Sequence, residues 1–153
     1  MKIIVGEGSC GIAAGAEKVY EAIEERMGMF SNVSLGITGC NGMCFLEPIV
    51  DLYEEDELKA RLVRVDAVNA EEILEAASTG DLSHVKGLMI TDEDKAFLDQ
   101  QTRIALRNCG LIDPNEIEAY KKAGGYQALE KALKTMTPEE VIEVIKTSGL
   151  AGR

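Results

Sequence analysis

Four cysteines carry most of the chemistry this chain could do, and their spacing is uneven. Cys10 stands alone in a glycine-rich turn, Cys40 and Cys44 form a C-x3-C pair, and Cys109 lies far downstream. In a reducing compartment such clustering points to metal or redox work rather than to a disulfide framework. A thiolate-bound iron cluster needs soft ligands converging from loops that can bend around it. Cys40 and Cys44 sit in a loop, Thr38-Gly39-Cys40-Asn41-Gly42-Met43-Cys44, whose glycines let the backbone turn. Backbone N–H groups exposed there could hydrogen-bond to sulfur and raise a reduction potential. Cys10 precedes a helix, and the positive helix end favours thiolate over thiol.

Other chemistries fit these residues less well. Three thiolates with His84 would make a Cys3His zinc count, but His84 lies in a separate segment without ligand-like spacing. No C-x-x-C stands at a strand-to-helix turn, which argues against a dithiol oxidoreductase. Gly6, Gly8 and Gly11 lack the G-x-x-x-x-G-K-[ST] context of a phosphate loop. Cys109 taken alone reads as a small buried apolar residue in a helical region, and Met27, Met29 and Met43 read as core filler or loop cover.

The elements that must position these loops follow from periodicity. A first strand is expected over residues 3–6, then a glycine-rich turn over 6–11, then a helix over 12–27. Its apolar positions Ile12, Ala16, Val19, Tyr20, Ile23 and Met27 recur at helical steps. Val33, Leu35 and Ile37 alternate as a strand leading into the Cys40 loop. Two more strands, over 48–53 and 60–65, flank the acidic turn Glu54-Glu55-Asp56-Glu57, which is most simply a solvated hairpin. A second helix is expected from Asn69, with Asn69 and Glu72 as a capping box and Val68 stapled onto Ile73. Residues 82–90 read as extended. From Thr91 onward only helix signals occur, with starts at Asp113-Pro114-Asn115-Glu116 and Thr137-Pro138-Glu139-Glu140 and stops at Gly124-Gly125 and Gly149.

Length and composition set the class. A chain of 153 residues with 46% hydrophobic and 28% charged residues suits one globular domain, or a small one with a helical appendage. The net charge of −11 argues against nucleic acid and against an anionic membrane surface; a basic redox partner would be compatible with it. No apolar run approaches the roughly 20 residues that span a bilayer. The apolar N-terminal run is too short for a signal peptide, so a cytoplasmic protein is the expectation.

The run from Val5 to Ala16, followed by Thr38-Gly39-Cys40-Asn41-Gly42-Met43-Cys44 and Glu47-Pro48, resembles the thioredoxin-like [2Fe–2S] ferredoxin domain. That domain occurs in the NADH dehydrogenase module of respiratory complex I and in NAD-linked, electron-bifurcating hydrogenases. Downstream, Arg107-Asn108-Cys109-Gly110, Asp113-Pro114, Gly124-Gly125-Tyr126 and the stretch from Met136 to Leu150 resemble the helical entry to the NADH-binding flavoprotein subunit. The ferredoxin loop of that family supplies C-x4-C ahead of C-x3-C. Here Cys10 matches the second cysteine, while the first falls on Val5 (or on Ile4 if the turn carries an insertion), and neither can ligate iron.

The resemblance implies an α/β, thioredoxin-like ferredoxin domain over 1–88 and an all-helical segment over 89–153. It implies a [2Fe–2S] cluster held by Cys10, Cys40 and Cys44, with Ser9, Cys109 or a partner supplying the fourth ligand. The implied function is electron transfer within a multi-subunit NAD(P)H dehydrogenase or hydrogenase-type complex, among flavoprotein and iron–sulfur subunits. FMN and NADH would be held in a downstream part or in partner subunits, so this chain alone is not expected to oxidise NADH. The competing expectation is a cluster-less docking or assembly module of the same kind of complex.

Overall fold

The computed structural model describes residues 1–152. Four short strands, β1 (Lys2–Gly6), β2 (Ser34–Thr38), β3 (Val50–Glu54) and β4 (Glu57–Leu62), form one sheet in the order β2-β1-β3-β4. β1 and β2 run parallel, and the other pairs are antiparallel. β1 is buried from Ile3 to Val5 on both faces, as a central strand of continuous apolar residues should be. β3 and β4 close through the two-residue turn Glu55-Asp56, with Glu55 at φ +55°, so β4 begins earlier than the strand expected over 60–65.

One face of the sheet carries Ile3, Val5, Leu52 and Leu62. It packs against α2 (Ala16–Met27) through Val19 and Ile23, and against α3 (Ala70–Thr79) through Ile73 and Leu74. All eight of these side chains are at most 1% exposed, and each contributes about 1.5–3 kcal/mol by removal from water. The helix expected over 12–27 is two helices. α1 (Ser9–Ala14) ends and α2 begins at Gly15, whose φ of +106° is open to glycine at little steric cost.

The opposite face carries Ile4, Asp51 and Arg61. Chain downstream of α3 runs along the edge of β4, with Leu62 bridged to Met89: Val63 N–H donates to Leu88 O at 2.8 Å and Ile90 N–H to Arg61 O at 2.9 Å. α4 (Asp92–Asp99), capped by Thr91, brings Leu98 with Ile90 onto Met43, Leu46, Ile49 and Val63. Residues 110–113 then run across Ile4, Ile37 and Tyr53 and enclose a cleft there.

Three local expectations are corrected. Residues 82–88 form a 3-10 helix rather than an extended run, because the Asp81 carboxylate accepts from Ser83 N–H and starts a turn. The capping box before α3 is Asp66 with Asn69, and Val68 is 83% exposed and staples nothing. Asp113 accepts from Asn115 N–H in a turn, and helix α5 (Ile117–Lys122) starts only after it.

By internal contacts the chain falls into two compact units, Met1–Asn115 and a second beginning at Glu116. The division expected between 88 and 89 rests on the resemblance and is a different boundary. The second unit is helical throughout, with α5, α6 (Gln127–Thr135) and α7 (Pro138–Ser148). α7 has the expected start: Thr137 Oγ1 accepts from Glu140 N–H and Glu140 accepts from Thr137 N–H. Tyr126, at φ +65°, sets its ring edge-on to Tyr120 at 5.0 Å. No helix among the described residues is long and apolar enough to cross a membrane.

Candidate functional site

β2 delivers the cysteine loop at the sheet end. Thr38 closes the strand, Gly42 turns the chain at φ +98°, and Met43 and Leu46 bury fully to anchor the loop from below. The loop folds back on itself: Met43 N–H donates to Asn41 Oδ1 at 3.0 Å, and Gly42 N–H donates to Cys40 Sγ at 3.3 Å. The result is two thiols facing one another, with Cys40 Sγ and Cys44 Sγ 3.5 Å apart. Cys44 and the following Phe45 are exposed, so this sulfur pair stands at the surface.

The turn after β1 lies directly beside it. Glu7 N–H donates to Thr38 O at 2.8 Å. A methyl group on Gly8 would stand 2.6 Å from Cys40 Cβ and 2.8 Å from its backbone nitrogen, so the two turns touch where no side chain fits. Ser9 and Cys10 follow as the first two residues of α1, both exposed. The fold therefore brings Cys40 and Cys44 together and sets Gly8, two residues before Cys10, against Cys40. Among the described residues, no three His, Cys, Asp or Glu groups stand at metal-binding spacing.

Cys109 is distant in sequence but not in the fold. Arg103 Nη1 donates to Cys109 O at 2.9 Å and to Asn41 O at 3.4 Å, bridging the two segments. Thr38 Oγ1 donates to Ile112 O at 2.9 Å, and Gly110, at φ +81°, presses on Asn41. Residues 103–112 thus form a strap against the cysteine loop. Nothing in the local sequence marks it, because its contacts are to backbone carbonyls. His84 is elsewhere: its ring nitrogens face Glu75 at 3.5 Å and Asp81 at 3.8 Å, and it is not gathered with the cysteines.

Beneath the two turns are acidic groups that sequence reasoning did not single out. Glu47 is 9% exposed; its Oε2 accepts from Ile49 N–H at 2.8 Å and borders Gly6 and Gly11. Burial pushes its carboxyl above the usual range, partly offset by the Ile49 N–H. Asp51, 3% exposed, holds Arg61 through two bonds of 2.8 and 2.7 Å. Burial also pushes the Cys40 thiol up, with the Gly42 N–H acting the other way and the Cys44 thiol adding to the rise.

Glu47 makes a stability-versus-pH prediction. With its folded pKa raised, the native state binds a proton more readily than the unfolded chain, so this group's contribution falls as pH rises through the raised pKa. Glu47→Gln keeps an acceptor for Ile49 N–H while removing the buried charge. The variant is expected to be more stable than the parent at neutral pH, and the difference should vanish near pH 4 in urea titrations.

No established family profile matches the chain. Over 54 residues it is 56% identical to the NADP-reducing hydrogenase subunit HndC of Solidesulfovibrio fructosivorans, a stretch covering 35% of this chain and 11% of that protein. Over 50 residues it is 44% identical to an NADH-quinone oxidoreductase subunit of Rhizobium meliloti (strain 1021), covering 33% of this chain and 12% of that protein. The chain therefore spans only about an eighth or less of the length of these curated relatives. Among solved structures, a cysteine-to-serine variant of the thioredoxin-like [2Fe–2S] ferredoxin from Aquifex aeolicus matches with a TM-score of 0.50 at 18% identity. That match covers 60% of this chain and 98% of the ferredoxin chain. The α/β part of this chain has the thioredoxin-like ferredoxin fold, with further helices added.

Proposed function

We propose that this chain is an iron–sulfur electron-transfer module of a multi-subunit NAD(P)H dehydrogenase or hydrogenase-type complex, working in the cytoplasm. The observation that carries the proposal is the facing pair of Cys40 and Cys44, 3.5 Å apart at the surface of a ferredoxin-like fold. The relatives are named as components of NADP-reducing hydrogenase and NADH-quinone oxidoreductase, which supports redox subunits as partners.

The donor chemistry fits a [2Fe–2S] cluster in kind. Cys40 and Cys44 would supply two thiolates, and Cys10, at the start of α1, would supply the third. The fourth ligand falls to Ser9, the first residue of α1, or to Cys109 on the strap. When bound, such a cluster supplies a one-electron site whose potential follows net charge, hydrogen bonds to sulfur and exposure. This chain's residues do the rest. Gly42 N–H is already aimed at Cys40 Sγ and would stabilise negative charge there. The exposure of Cys44 and Phe45 leaves the site open to a donor or acceptor on another subunit. FMN and NADH belong, in this proposal, to partner or downstream portions.

Anaerobic isolation with iron and sulfide analysis tests the proposal: about two of each per chain are expected for a [2Fe–2S] centre. Absence of both from a folded protein would leave the second reading, a cluster-less docking module. That reading draws on the second unit, where Leu133 and Leu150 are 78% and 76% exposed and Ile142 and Ile145 are also open. Cys109→Ser separates the candidate fourth ligands, since it should remove the iron only if the strap cysteine is one of them.

A further inference from the structure

We propose that Cys40 and Cys44 are a reversible modification site: in the cluster-free chain they close into an intrachain disulfide by exchange with a low-molecular-weight disulfide, which withdraws both thiols from metal binding. The inference deepens the electron-transfer proposal, since its regulatory meaning rests on these thiols being ligands. The disulfide itself stands on the geometry alone.

The two sulfurs are 3.5 Å apart, and a disulfide needs about 2.05 Å, so closure takes an approach of about 1.5 Å. The loop can supply it. Gly42 lies between the two cysteines at φ +98°, with nothing within 4 Å of the position a Cβ would occupy, so that side of the loop is open. Cys44 is exposed, and its side chain faces the partner sulfur, not the core. Met43, fully buried between them, fixes the middle of the loop while its ends adjust. No other pair of cysteines is hydrogen-bonded among the described residues, and Cys10 and Cys109 lie on separate segments.

The Cys44 thiolate attacks one sulfur of the small disulfide, forming a mixed disulfide and expelling one thiolate. Cys40 Sγ then attacks Cys44 Sγ, forming the intrachain bond and expelling the second. The two protons lost by the protein thiols are taken up by the leaving thiolates. Two protein thiols are oxidised and one small disulfide is reduced to two thiols. A metal ion cannot then use either sulfur until a reductant reverses the exchange. The site is thereby gated by the thiol–disulfide poise around it.

The test uses the full chain, stripped of iron and fully reduced, and treated anaerobically with oxidised glutathione. The expected result is an intact mass lower by two hydrogens, a free-thiol count falling from four to two, and a peptide map linking Cys40 to Cys44. Both Cys40→Ser and Cys44→Ser should abolish the link, and a thiol reductant should restore all four thiols. Iron uptake should fail in the oxidised protein and return on reduction. Unchanged mass, stable glutathione adducts on Cys40 or Cys44, a link through Cys10 or Cys109, or equal iron uptake by the oxidised and reduced forms would overturn the inference. If even the reduced chain takes up no iron, the electron-transfer proposal fails, whereas the thiol count and peptide map still decide the disulfide.

Discussion

Arg61→Ala is expected to destabilise the first unit by about 3–5 kcal/mol, the usual cost of stranding one member of a buried ion pair. Asp51 and Arg61 are direct cross-strand partners on β3 and β4, and both carboxylate oxygens of Asp51 are held by the guanidinium. Asp51 is 3% exposed, so removing Arg61 leaves a carboxylate with neither water nor a counter-charge. Burial already pushes the Asp51 carboxyl up, and Arg61 offsets this in part. Without Arg61 that rise grows. A raised folded pKa means stability is lost as pH rises through it, so the deficit of the variant should be largest at neutral pH and shrink towards pH 4. Pairing Arg61→Ala with Asp51→Asn should recover part of the loss, and urea titrations of the four proteins in a double-mutant cycle measure the coupling. A deficit that is flat with pH would place the cost in lost packing of the arginine stem instead.

Gly8→Ala is expected to leave the sheet and helices folded but weaken iron binding roughly 10- to 100-fold, the scale seen when groups supporting a metal ligand are disturbed. The added methyl would stand 2.6 Å from Cys40 Cβ and 2.8 Å from its nitrogen, a clash that only separation of the two turns relieves. That separation moves the Cys10 turn away from the Cys40–Cys44 pair. Gly28→Ala is the control, because Gly28 lies at φ −58° with nothing within 4 Å of the added methyl. Iron affinity and urea midpoint, measured together, separate displacement of the turn from general destabilisation. Equal iron affinity in the two variants would show that the turns need not meet.

The fold was legible where periodicity and glycine act locally. Val19 and Ile23 at helical spacing, Ile3 to Val5 as a strand, and Thr137 with Glu140 as a cap all follow from neighbours in sequence. The break at Gly15 was less visible, because a glycine within a helical pattern is tolerated often enough that periodicity alone does not place a kink. Residues 82–88 read as extended in sequence because their apolar residues fit no helical repeat, and a 3-10 turn begun by Asp81 leaves no long-range pattern. For the candidate site, the cysteines and their glycine turns were readable, since residue type and spacing carry that chemistry directly. Three features were not. The Asp51–Arg61 pair depends on hairpin register, which shifts at the irregularity between Leu52 and Tyr53. Glu47 is an ordinary carboxylate in sequence and is distinguished only by burial. The strap depends on Arg103 and Thr38 reaching backbone carbonyls more than sixty residues away, a contact that no spacing announces.

In the function proposed for this chain, the Cys40–Cys44 loop holds an iron–sulfur centre that carries one electron. Electron paramagnetic resonance on the anaerobically prepared, dithionite-reduced chain tests it most directly, with Cys40→Ala measured alongside. The parent chain is expected to give the signal of a reduced [2Fe–2S] centre, and Cys40→Ala to lose it with the fold retained. A folded parent chain that gives no signal, or a signal that survives Cys40→Ala unchanged, would contradict it.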